Sequence, residues 1–178
     1  MLTVMASPVA AAPAPERMQA WANRQQSYKV SINDKDRTLR NTPLELIRQI
    51  DDQYDSMQSR LKLKAAYEAS PELATMALGL SDAEARSIIG QLDDVADQGS
   101  EFVDIHRNIL THSPDKSLNR RTDRALNEVG DVFDAVKDKK YKSATDDSFT
   151  ANALWAPIEA QLKAYGVDTG APWKLSGN

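Results

Sequence analysis

The residues of this chain with chemistry to offer are its histidines, His106 and His112, and its adjacent acids, Asp51-Asp52, Asp93-Asp94 and Asp146-Asp147. A carboxylate-bridged dimetal site in a helical bundle uses Glu-x-x-His on two helices. Neither histidine has an acid three residues before it. His106 has Asp104 two residues before and Glu101 five before, and these do not share its helix face. His106 therefore reads as a hydrogen-bonded core or boundary residue, and His112 as a last-turn residue suited to a helix C-terminus. Paired acids divide acid and base roles when their environments push their pKa values apart. Neighbours in a helix point about 100° apart, so these pairs read as solvated helix faces. Gly-x-Ser-x-Gly, phosphate-cradling glycine loops and His-Glu-x-x-His are all absent. No cysteine is present, which removes disulfides, thiolate metal sites and iron–sulfur clusters. The expectation is a protein with no catalytic, cofactor or metal residues, hence not an enzyme. No stretch carries a family signature.

The elements that must position whatever function exists are helices. Ser81-Asp82-Ala83-Glu84 reads as a capping box. After it Ala85, Ile88, Leu92, Val95, Gly99, Phe102, His106 and Ile109 recur at spacings that share one helical stripe. A single helix over 81–112 would be roughly 46 Å long and needs long, nearly parallel partners. Thr42-Pro43-Leu44-Glu45 starts a helix carrying Ile47, Ile50, Tyr54, Met57 and Leu61 to about Ala69. Ser70-Pro71-Glu72 starts a short one closed at Gly79. Ser113-Pro114 offers the next cap, for a helix over 114–138 with Leu118, Thr122, Ala125, Val129, Val132 or Phe133 and Val136 inward. A charged loop over 139–147 then leads to a last helix over 148–165, kinked at Pro157. Residues 16–26 form a short helix. Tyr28 to Ile32 alternates like a strand, but no partner strand is evident, so 27–41 reads as an extended arm.

The fold expected is all-α: an elongated up-and-down bundle of three long helices and a shorter, kinked C-terminal helix, with an extended N-terminal arm. Residues 1–15 form an Ala/Pro arm or the remnant of a secretion signal, 16–41 the short helix and arm, 42–166 the bundle, and 167–178 an irregular tail. The chain of 178 residues has a net charge of −4, against a nucleic-acid partner in bulk. No apolar run approaches the roughly 20 residues of a membrane span. A periplasmic or secreted location follows if the N-terminus is a truncated signal, and a cytoplasmic or assembly-bound one otherwise.

Function is therefore expected on surfaces: a structural, assembly, adaptor or secretion-associated protein that binds another protein or a second copy of itself. Lys116, Arg120 and Arg124 share one face of the 114–138 helix. In an antiparallel hairpin Glu101 and Asp104 come near Arg121 and Arg124, so these charges are expected to form flanking ion pairs that fix its register; the alternative is a basic patch that docks an acidic partner. Trp21 and Trp173, near the chain ends, either pin those ends to the bundle or anchor a partner. The alternative is an exported sensor holding a small ligand between helices.

Overall fold

The computed structural model describes residues 12–170. The expected Ala/Pro arm or secretion remnant falls mostly outside them, as do Trp173 and the end of the tail. The described chain is mostly helical: α1 (Pro15–Ala22), α2 (Pro43–Ala69), α3 (Pro71–Leu78), α4 (Asp82–Gly90), α5 (Leu92–Leu110), α6 (Lys116–Lys137) and α7 (Tyr141–Ala164), with strands β1 (Gln26–Ile32) and β2 (Lys35–Asn41). The long helices α2, α5, α6 and α7 form a bundle in which α2 lies on α5, α5 on α6 and α6 on α7. Side-chain bridges from α7 back to α2 close the ring.

The extended arm is a β-hairpin instead. β1 and β2 pair antiparallel, with Tyr28 opposite Leu39 and Ile32 opposite Lys35. Asn33 (φ 52°) and Asp34 (φ 60°) make the reversal in left-handed backbone, a geometry these side chains tolerate and one that matches the strand twist. β2 escapes sequence reading because Lys-Asp-Arg-Thr-Leu-Arg-Asn has no apolar alternation. Tyr28 Oη donates to Asn41 Oδ1 at 2.6 Å and Asn41 Nδ2 donates to Glu45 Oε2 at 2.8 Å, tying the hairpin to the first turn of α2. Glu45 thus serves Asn41, while Thr42 Oγ1 caps α2 by accepting from Glu45 N.

The single helix over 81–112 is two. Ser81 and Glu84 do form the capping box, but α4 ends at Gly90 and α5 begins at Leu92. The Gln91 N–H bonds to the carbonyl of Ile88, three residues back, and Arg60 Nη2 holds the Gln91 side chain at 2.7 Å. Glycine weakens the helix at this joint. Leu92, Ala96, Gly99, Val103, His106 and Leu110 form the buried face of α5. Of the expected stripe, Ala85, Leu92, Gly99, His106 and Ile109 are buried, whereas Ile88, Val95 and Phe102 are half-buried, with Ala96 and Val103 turned further inward than Val95 and Phe102.

The last helix is longer than expected. α6 starts at Lys116 with Asp115 as cap, and ends where Lys139 (φ 60°) turns the chain. α7 then runs through the segment expected as a charged loop, burying Ala144 and Ser148 and leaving Lys142, Asp146 and Asp147 in solvent. A helix of 24 residues is therefore present where a shorter one was expected. Pro157 lies inside it on the exposed side, as does Ala153, whose carbonyl loses its N–H partner and faces water.

Gly99 sits against the ring of Phe133, where a Cβ would overlap the ring edge. Gly99→Ala gains about 1 kcal/mol of helix propensity but forces the core apart, at a cost of about 1–3 kcal/mol. The expected outcome is a lower urea midpoint, with the loss relieved when Phe133→Leu is added. A raised midpoint for Gly99→Ala alone would show that the α5–α6 approach does not depend on this glycine.

Candidate functional site

Lys116, Arg120 and Arg124 are exposed on α6, and among the described residues none of them forms an ion pair. The expected pairing of Glu101 and Asp104 with Arg121 and Arg124 is not formed. The hairpin is bridged instead by Arg107–Asp123 at 2.7 Å and Lys137–Asp97 at 3.3 Å. Ser100 Oγ also donates to Asp134 at 2.7 Å. The linker Thr111–Asp115 shifts the register away from the one a tight turn would set. Trp21 is 6% exposed and packs with Met18 and Ala22 in the core. It joins α1 to the bundle, aided by Gln19 Nε2, which donates to the Tyr165 carbonyl at 2.8 Å.

His106 lies between α5, α2 and the hairpin. Its Nε2 meets Gln49 Oε1 at 3.0 Å. Phe102 stacks on the ring and Tyr28 meets it edge-on. Nδ1 is buried with no hydrogen-bond partner among the described residues. Among the described residues, no three His, Asp or Glu side chains come together as a metal-ligand set.

The feature that sequence reasoning missed lies on the α2–α7 seam. Asp51 does not share the solvated face of Asp52: its Oδ2 is buried and no donor among the described residues reaches it. The Trp155 indole N–H points at Asp51 Oδ1 and at Glu159 Oε1, each at 2.9 Å. Burial first, and then Glu159 by hydrogen bonding and by charge, push the Asp51 carboxyl up to about 10 against the opposing pull of the Trp155 N–H; Asp52 adds a smaller push upward. At neutral pH Asp51 therefore keeps its proton. Two ionised carboxylates about 4 Å apart would repel by about 4 kcal/mol even at an effective dielectric of 20. The only sequence signal was an Asp on the inner side of the Ile50–Tyr54 turn, facing a helix that carries Trp155 and Glu159 one turn apart.

Further along the seam Gln58 Nε2 donates to the buried Tyr54 hydroxyl at 3.0 Å, which meets the Ser148 carbonyl at 3.5 Å. Beyond it opens a groove of about 210 Å³, floored by Leu61 and Ala65 and overhung by Phe149. A second hollow of about 280 Å³ shares Leu61, Ala65 and Thr145 and is edged by Lys64 and Tyr141. Phe149 is 69% exposed, and α3 presents Leu73, Met76 and Leu78 at 65%, 73% and 59%.

No protein-family model, curated protein or solved structure matches this chain.

Burial pushes the His106 imidazole down to about 4. The unfolded chain then takes up the proton first as the pH drops below the ordinary histidine value near 6.5. The stability that neutral His106 contributes is complete above that value and is lost as the pH falls towards 4. Between pH 7 and pH 5 wild type should lose about 1–2 kcal/mol relative to His106→Gln, measured by urea denaturation of both. Parallel pH profiles would place the ring in contact with water.

Proposed function

We propose that the protein works by contact, and that the basic stripe Lys116, Arg120 and Arg124 docks an acidic surface of another protein. The observation that carries this reading is that the stripe works against the helix that bears it. Asp115 caps α6 by accepting from the Leu118 N–H, but Lys116 is the first helical residue and no acid follows in that first turn, so beyond the cap the stripe sets cations towards the positive end of the helix dipole. Like charges four residues apart each cost about 0.2–0.5 kcal/mol. Arg107 and Lys137 pair with Asp123 and Asp97, whereas these three stand exposed on one helix face with no ion pair among the described residues. An arrangement that weakens its own helix in a chain of net charge −4 is explained by an acidic partner that supplies the missing charge. The apolar side chains exposed on α3 fit the same mode of action, since apolar patches of this kind mark contact surfaces.

A second reading, a small apolar ligand held between α2 and α7, is favoured by the groove beneath Phe149. Gln58, Ser148 and Asn152 in its lining are the polar groups that would orient such a ligand.

Reversing Arg120→Glu and Arg124→Glu together should leave the melting temperature unchanged or raise it slightly. It should also abolish salt-sensitive binding to an acidic polypeptide such as poly-glutamate, measured by anisotropy at low ionic strength. Unfolding of the double variant would show that the arginines hold the bundle together. Unchanged binding would remove the stripe from the contact surface.

A further inference from the structure

We propose that the α2–α7 seam is a proton latch: Asp51 and Glu159 are held side by side by one shared proton, and the seam loosens when that proton leaves. The inference is independent of the contact reading.

The geometry carries it. Two carboxyl groups from two helices meet at a single donor, the Trp155 N–H, which reaches Asp51 Oδ1 and Glu159 Oε1 at the same 2.9 Å. One N–H cannot balance two negative charges. Asp51 Oδ2 lies buried with no hydrogen-bond partner among the described residues, and a proton held between the Asp51 and Glu159 carboxyl groups supplies the donor the pair lacks.

The charged groups around the pair supply no alternative. The groups acting on Asp51 are Glu159 across the seam on α7 and Asp52 beside it on α2, both acids that favour keeping the proton. Among the described residues neither Asp51 nor Glu159 pairs with a lysine, arginine or histidine. Arg48, one turn earlier on α2, gives its guanidinium to the carbonyls of Asp168 and Thr169. On α5, His106 is turned to Gln49.

When the pH rises, the Asp51 proton passes to hydroxide to form water, leaving two carboxylates facing one N–H. Their separation is resisted by packing across the seam, where Trp155 and Tyr54 are fully buried, and by the hydrogen bond from the Tyr54 hydroxyl to the Ser148 carbonyl. Loosening here reaches Tyr54, Gln58 and the groove, because all stand on the same pair of helices.

The test uses the full chain carrying Trp21→Phe and Trp173→Phe, so that Trp155 alone reports, with urea midpoints and tryptophan emission recorded from pH 7 to pH 10. Above pH 7 His106 no longer titrates. A protonated Asp51 in the folded state and an ionised one in the unfolded state give up to a tenfold loss in the folding constant per pH unit. Asp51→Asn and Glu159→Gln should each flatten that decline, and the two together should do little more than either alone, because each removes the same shared proton. Trp155 emission should shift to the red in wild type and stay fixed in both amide variants. A decline flattened by Asp51→Asn but not by Glu159→Gln would make Asp51 a lone buried acid and overturn the sharing. A decline that neither variant flattens would overturn the latch. If a variant fails to fold, the wild-type emission decides: no red shift by pH 10 means the seam does not open.

Discussion

The bundle depends on how α7 closes onto α2. The other three seams join helices that pack directly, α2 on α5, α5 on α6 and α6 on α7. The fourth must be spanned by large side chains. Trp155 and Tyr54 do this; both are fully buried, and Tyr54 lies edge-on to Phe133 of α6. A buried indole N–H usually finds an acceptor, and the Trp155 N–H finds two, both acids. The carboxyl pair is thus the consequence of using tryptophan as the closing residue, and one of the two acids must hold a proton for the closure to be electrically neutral enough to bury. Packing and ionisation are here a single constraint.

Two buried titratable groups give the fold opposite responses to pH. The folded state disfavours a proton on His106 and favours one on Asp51. Between the acid range and neutrality the first makes stability rise with pH while the second makes it fall, so the two slopes oppose one another there. Above neutrality only the acid remains. The two groups stand on different seams, His106 where α5 and the hairpin meet α2 and Asp51 where α7 meets it. α2 touches both, through Gln49 and Asp51, and is the element through which either change in charge is felt by the bundle.

What the sequence made legible was whatever rests on apolar periodicity and capping. The face of α6 was readable because Leu118, Ala125, Val129, Val132 and Val136 are unambiguous, and all are buried. The start of α2 was readable from Thr42 and Pro43. Elements held by other forces were not readable. β2 is specified by its turn and by pairing with β1 rather than by its own composition. The first two turns of α7 contribute just Ala144 and Ser148 to the core, too little for a period to be seen. The break at Gln91 is set by a glycine and by Arg60 from another helix. Of the surface residues, the basic stripe was legible because helical spacing alone fixes it. The Asp51–Trp155–Glu159 cluster was not, because its members lie far apart in the chain and become neighbours only when the ring closes.

Local rules are broken at several places outside the core, and inside it at buried atoms such as His106 Nδ1 and Asp51 Oδ2. A chain that folds well tends to agree with itself at every level, and violations concentrate where something other than folding is selected. Beyond its Asp115 cap, α6 carries cations and no acid in its first turn, where further anions would stabilise it. α3 turns Leu73, Met76 and Leu78 to solvent while burying only Ala74. Phe149 stands out from α7 beside a groove it does not fill. None of these is needed to hold the bundle together, which the buried stripes of α2, α5, α6 and α7 already do. The carboxyl pair differs from all three, since removing it would leave the closing indole without an acceptor. Three of the anomalies thus lie on the outside, open to a partner, and the carboxyl pair sits within the seam, where a change of protonation acts on the bundle itself.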